Sequence, residues 1–218
     1  MLSGVIFDMD GVIVDSHPIH KKAWRRFLEL QGKNPNDTDL DFIMDGRKRE
    51  EILRHFLGEL SDDEVQDLGH QKDALFREES IAMTMIEGLP EFLQQLAQAN
   101  IRLAVGSSGS DGRVNYILQS FGLRRFFQAV ITGDQVTAGK PDPAVFRLAS
   151  KELRVPPSET LVFEDSVSGV RAARAAGMKC IGIATNGLIP ELVDAGAIQI
   201  IPNYINLSLN HVQALLDT

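Results

Sequence analysis

The chain has one cysteine, Cys180, in 218 residues. A single thiol excludes an internal disulfide and fits a reducing compartment. It lies in the apolar run KCIGIA, the setting of a small buried side chain rather than of a reactive nucleophile. No apolar run approaches the roughly 18 residues that a bilayer-spanning helix needs. The first residues open straight into GVIFD, with no basic segment or cleavage site of a secretory leader. Internal repeats and low-complexity tracts are also missing. Positive charge is in deficit: 22 Lys and Arg against 30 Asp and Glu leave a formal charge of −8. That deficit argues against a nucleic-acid or anionic-membrane surface, because phosphate backbones demand clustered cations. An anionic ligand must instead be met by a local device: a metal ion, a few cations or helix N-termini. These absences lead us to expect a cytoplasmic, monomeric protein with a small-molecule partner, neither nucleic acid nor membrane. A hydrophobic share of 44% and a charged share of 24% are ordinary for a globular chain, long enough for one domain or two small ones.

Short β-rich runs alternate with helical patterns at the start of the chain and again from about residue 86. The strand candidates are GVIF (4–7), RLAVG (102–106), AVIT (129–132), TLVFE (160–164), KCIGI (179–183) and IQII (198–201). Between them lie PEFLQQLAQAN, DGRVNYILQSFG, DPAVFRLASKEL, SVSGVRAARAAG and LIPELVDAG. Asp142 and Pro143 read as N-cap and first helical residue, and Gly122 and Gly177 as helix stops. This alternation predicts an α/β fold with a doubly wound, Rossmann-like parallel sheet. Residues 16–85 are instead helical in period, with His20, Trp24, Phe27 and Leu28 on one stripe. They read as a small α-helical cap inserted into a core of residues 1–15 and 86–218, hinged near Val14–Ser16 and Ile86–Pro90.

Ligands of an open parallel sheet bind beyond the carboxyl ends of the strands. Asp8 and Asp10 follow the first strand, Ser107 and Ser108 the second, Lys140 a loop after the third, and Glu164 with Asp165 the fourth. Residues i and i+2 of extended chain share a side, so Asp8 and Asp10 should converge on one space. Gly11 lets the chain turn away, leaving backbone N–H groups to face an anion. Two unit charges about 4 Å apart repel by roughly 4 kcal/mol at an effective dielectric near 20. Four clustered acids must therefore protonate or hold a cation, and hard oxygen ligands with open positions suit Mg²⁺. Acids, a metal site, a lysine and a hydroxyl on one rim suggest phosphoryl transfer. Asp8 would attack phosphorus, Asp10 would serve as acid and then base, and Ser107 and Lys140 would hold phosphoryl oxygens.

The motifs DMDGV (8–12), SS (107–108), GKPDP (139–143) and FEDS (163–166) appear in the order and spacing of a known family. The whole chain resembles the haloacid dehalogenase-like superfamily, specifically its β-phosphoglucomutase-like branch with a small helical cap. The resemblance implies a nucleophile at Asp8, a general acid/base at Asp10, and Mg²⁺ among Asp8, the Asp10 carbonyl, Glu164 and Asp165. Met9, Gly11 and Ser108 fall in the phosphate-binding stretches. In the cap, His20, Gly46, Arg49 and Lys72 fall where mutases contact substrate or relay closure. Two departures matter. Mutases of this branch end the polar run after the motif serine in Ser-Lys-Asn, and here the triplet is Gly109-Ser110-Asp111. Where the mutases tend to carry a lysine, this chain has Asp45. Both weaken the second anion site that a bisphosphate intermediate needs, which favours hydrolysis of a phosphomonoester such as a sugar phosphate over mutase chemistry. A receiver-like signalling switch, which also phosphorylates an aspartate, is the reading from another class. Receivers lack a second aspartate two residues on and have no inserted cap.

Overall fold

The computed structural model describes residues 1–184 and 189–217. Six parallel strands form one sheet in the order β3-β2-β1-β4-β5-β6: β1 (Gly4–Phe7), β2 (Arg102–Gly106), β3 (Ala129–Ile131), β4 (Thr160–Glu164), β5 (Lys179–Ile183) and β6 (Gln199–Ile201). The strand order reverses at β1, which pairs with β2 on one side and β4 on the other, so that Phe7 stands level with Val105 and Phe163. This reversal opens a crevice at the carboxyl end of β1.

Side-chain alternation sorts the strands between two apolar layers. Val5, Phe7, Val105, Leu161 and Phe163 belong to one cluster, shared with α5 (Leu89–Gln98), α6 (Asp111–Ser120) and α10 (Leu209–Asp217). Ile6, Ala104, Val162 and Cys180 belong to the other, with α7 (Ala144–Leu153), α8 (Val167–Ala175) and α9 (Ile189–Ala195). Covered on both faces, the strands are almost continuously apolar, as buried parallel strands are. Cys180 is fully buried, as its run suggests.

Residues 17–79 form four helices: α1 (His17–Leu30), α2 (Asp37–Met44), α3 (Arg49–Leu57) and α4 (Asp62–Glu79). Capping boxes at Asn36/Asp39 and Ser61/Glu64 start α2 and α4. The His20, Trp24, Phe27 and Leu28 stripe of α1 is buried, and α1 packs on α4. The two chain crossings into this segment lie side by side. Val14 and Met85 form an antiparallel bridge, Asp15 N–H donates to Thr84 O at 2.9 Å, and Ile86 N–H to Ile13 O at 3.0 Å.

Element ends differ slightly from the sequence reading. β3 stops at Ile131 because Thr132 caps a short 3-10 turn, and β6 begins one residue late, at Gln199. Pro143, not Asp142, is the N-cap of α7, and Asp142 Oδ1 accepts the Ala144 N–H at 2.9 Å from just outside. Leu188, the first residue of the LIPELVDAG pattern, lies outside the described residues. No helix among the described residues is long and apolar enough to cross a membrane.

Candidate active site

The first site residues emerge from β1. Asp8 N–H continues the ladder to Phe163 O at 3.0 Å, and its carboxylate is only 5% exposed. Asp8 Oδ1 accepts from Lys140 Nζ at 2.5 Å, while Oδ2 accepts from the Asp10 N–H at 3.0 Å. Lys140 also donates to Glu164 Oε2 at 2.8 Å. Burial opposes the lysine's charge, yet Asp8 and Glu164 together outweigh it and hold its pKa above the usual lysine range. Asp8 itself is pushed well above the ordinary carboxylate value, chiefly by burial and then by Glu164, Asp10 and Asp165, despite Lys140.

Gly11 turns the chain with φ +71°, and a Cβ there would sit 2.1 Å from Asp165 Oδ2 and 2.7 Å from His17 Nε2. Glycine is needed on both counts. Its own N–H is not among the backbone groups that could face an anion, because it donates to Val14 O at 2.8 Å and closes the turn. Asp8, Glu164 and Asp165 each bring a carboxylate oxygen to within 4.8 Å of one another, all buried. Glu164 Oε1 is engaged by the Asp165 and Ser166 N–H groups and the Ser166 hydroxyl. Asp165 Oδ2 is different: it is buried and lacks an aligned hydrogen bond, although His17 Nε2 lies 2.8 Å away. Burial lifts the Asp165 pKa to about 6 against the pull of His17. His17 is raised to about 9, because Asp165 overcomes the opposing effect of burial. Three buried carboxylates drawn within 4.8 Å of one another fit a hard divalent cation in both charge and donor type.

Asp10 faces another set of partners. Its Oδ1 accepts from Ser16 Oγ at 2.7 Å, His20 Nε2 at 3.1 Å and an Arg113 N–H at 2.8 Å, and its Oδ2 from a second Arg113 N–H at 2.8 Å. Ser16 gives its hydroxyl to Asp10 instead of capping α1. Burial alone would raise the Asp10 pKa, but Arg113 and then His20 bring it well below the carboxylate range. His20 is buried beside Lys72 and Arg113, which lowers its pKa to about 3 against the pull of Asp10. It is therefore neutral. With the proton assigned to Nε2, Nδ1 accepts from Lys72 Nζ at 3.3 Å. Lys72 lies 5.0 Å above the Phe76 ring and 5.1 Å above Trp24, and burial with Arg113 lowers its pKa to about 7. Arg49 donates to Asp73 Oδ2 at 2.8 Å, which also accepts from Ser110 Oγ at 2.6 Å across to α6. Burial notwithstanding, Lys72 and Arg113 keep Asp73 below its usual pKa.

These residues surround a cavity of about 70 Å³ between the sheet rim and the helical segment. Asp8, Asp10, His20, Gly46, Arg49, Lys72, Ser108, Glu164 and Asp165 all line it. Gly46 comes so close that a Cβ would meet Ser166 Oγ at 2.9 Å. Ser107 stands just behind: its Oγ accepts the Gly109 N–H at 3.0 Å, which leaves its own proton for another acceptor. The Met9 side chain is fully buried in the apolar core, so only its backbone can reach the site. The Asp10 carboxylate is engaged by Ser16, His20 and Arg113 and is not part of the acid trio. Asp45 binds across to α8, accepting from the Ser168 N–H at 3.2 Å and hydroxyl at 2.7 Å, and Lys48 Nζ donates to Val136 O at 2.7 Å.

The sequence reading gives no role in the site to Arg113, Asp73, His17 or Ser16. Arg113 left one trace, a glycine four residues upstream in the polar run. Asp73 and Ser16 left none.

The chain is similar in sequence and fold to known proteins. The Phosphorylated carbohydrates phosphatase of Thermotoga maritima is 33% identical over 207 residues, covering 92% of this chain and 94% of that one. The β-phosphoglucomutase of Bacillus subtilis is 31% identical over 191 residues, 84% and 83% of the two chains. CbbY from Rhodobacter sphaeroides, solved in complex with phosphate, superposes with a TM-score of 0.84 at 26% identity over 100% of both chains. The family model described as haloacid dehalogenase-like hydrolase matches residues 5–183. With β1, the rim acids and Lys140 all inside that match, the chain belongs to the haloacid dehalogenase-like hydrolases.

Proposed function

We propose that this enzyme is a Mg²⁺-dependent phosphatase that releases phosphate from a small phosphomonoester, a sugar phosphate by preference, through an aspartyl phosphate on Asp8. One observation carries the reading. Asp8 sits at the switch point of the sheet, within an acid trio that needs a cation, and is held by Lys140 beside an acid/base candidate. Residues 16–85 would act as the cap over a core of 1–15 and 86–218, with the paired crossings at Val14 and Met85 as its hinge. A metal ion held by Asp8, Asp165 and the Asp10 carbonyl, with Glu164 alongside, would neutralise the trio and polarise a phosphoryl oxygen.

Asp8 attacks phosphorus as the bond to the leaving oxygen breaks, and Asp10 gives that oxygen its proton. Water then attacks the phosphoryl group, passes its proton to Asp10, and frees phosphate and Asp8. Lys140 and the Ser107 hydroxyl hold the phosphoryl oxygens. The Arg113 ion pair keeps Asp10 in the ionised form that the second step uses. A phosphomonoester dianion brought against Asp10 raises its proton affinity for the first step.

Hydrolysis is favoured over mutase chemistry because Arg49, the cation implied to hold a distal phosphate, is engaged by Asp73. Asp45, where mutases tend to carry a lysine, is engaged by Ser168. The names of the relatives support sugar phosphates as the substrate class and include both activities. The test is a panel of phosphomonoesters, including β-glucose 1-phosphate with and without its bisphosphate. Release of free phosphate is the expected result. Glucose 6-phosphate formed without free phosphate would make the enzyme a mutase, and a long-lived phosphoenzyme without turnover would make it a switch.

A further inference from the structure

Arg113 is the third residue of α6, where an arginine is ordinarily solvated. Here its side chain turns inward and is 6% exposed. Two of its N–H groups meet the two oxygens of Asp10, each at 2.8 Å, in a fork-to-fork pair. The guanidinium carbon lies 5.3 Å above the Phe76 ring, which closes the other side. The path to Asp10 exists because residue 109 has no side chain: a Cβ there would lie 2.1 Å from one Arg113 terminal nitrogen and 2.8 Å from its guanidinium carbon. The departure from the mutase triplet at Gly109 thus has a physical correlate. The triplet's cation is gone, but a cation from one turn further on fills the space.

A single hydrogen bond leaves a carboxylate free to swing, whereas two parallel bonds fix its plane. Ser16 and His20 approach the Asp10 carboxylate from the helical segment, whereas Arg113 belongs to α6 of the core, so among the described residues Arg113 is the one core side chain that hydrogen-bonds that carboxylate. An acid/base works only within hydrogen-bond reach of the oxygen it serves, and an error near 1 Å can cost about 100-fold. We propose that Arg113 is a positioning residue that fixes Asp10 for proton transfer, and that Gly109 is the space that admits it. This rests on the reading of Asp10 as the acid/base of a phosphatase.

The test is a double-mutant cycle on hydrolysis of a sugar phosphate from the panel that the wild type turns over, with thermal unfolding of the same substrate-free proteins as a readout independent of activity. Arg113→Ala should lower kcat by about 10- to 100-fold with KM changed by less than about twofold. Arg113→Lys, which keeps the charge but not the fork, should recover part of that loss. Gly109→Ala, which displaces an intact Arg113, should repeat the Arg113→Ala result. In an Asp10→Ala background the loss from Arg113→Ala should all but vanish, and the unfolding temperatures of the single and double variants should be non-additive. An active enzyme in which the losses multiply, or in which KM alone rises, overturns the positioning role and leaves the phosphatase reading intact. A wild-type protein that shows the unfolding coupling but releases no phosphate overturns the phosphatase reading, and the positioning role with it. Should Arg113→Ala fail to fold, the Arg113→Lys cycle decides by the same criteria.

Discussion

The two sides of the cavity carry opposite electrostatic imbalances. On one side Asp8, Glu164 and Asp165 face Lys140 and His17. On the other, Asp10 and Asp73 face Arg49, Lys72 and Arg113. The groups whose pKa moves against burial reveal the difference. Burial should strip the protons from Lys140 and His17, yet the acids around them keep both protonated above their usual range. Burial should likewise protonate Asp10 and Asp73, yet the cations around them hold both ionised. One side therefore lacks positive charge and the other has a surplus. On the proposed reading a metal ion would answer the first and a phosphoryl dianion the second, so that a single bound metal–phosphate pair would balance both.

The largest effect expected from this contrast is on the acid side. Chelation should reduce turnover at least about 100-fold, and Mg²⁺, but not Ca²⁺, should restore it. Mg²⁺ should also raise the unfolding temperature of the wild type and leave that of Asp165→Asn unchanged. Full activity in chelator would remove the metal from the account. Next in size, Asp10→Ala should slow sugar-phosphate hydrolysis by about 10²- to 10⁴-fold, and hydrolysis of an aryl phosphate, whose leaving group needs less protonation, much less. Equal losses on the two substrates would count against an acid role. The smallest effect belongs to the cation side. Asp73→Asn frees Arg49 from a partly exposed pair, so orthophosphate should inhibit about two- to fivefold more tightly. Unchanged inhibition would mean that Arg49 does not reach the anion.

The acid side was legible in the sequence and the cation side largely was not, for a reason particular to each residue. Asp8, Lys140, Glu164 and Asp165 follow strands whose apolar runs are unmistakable, and a parallel sheet brings all strand ends to one rim. Arg113 and Asp73 lie on helices at positions that usually face solvent. Only the packing of α6 against α4, with the room left at Gly109, turns them inward. Ser107 shows the limit within a motif. The spacing locates the pair of serines, but only the backbone turn decides that Ser108 lines the cavity while Ser107 receives the Gly109 N–H. Gly11 marks a sharp turn in the sequence, but its N–H partner, Val14 O, lies in the same tight loop and is set by the backbone path rather than by composition.

Everything proposed for the site passes through Asp8 as the atom that takes the phosphoryl group. Acid quenching of the enzyme during turnover of p-nitrophenyl phosphate, followed by peptide mass spectrometry, addresses this directly. The account predicts a phosphoryl group on the peptide bearing Asp8, absent from a folded Asp8→Asn variant that releases no phosphate. A phosphoryl group on another residue, or undiminished phosphate release by Asp8→Asn, would contradict it.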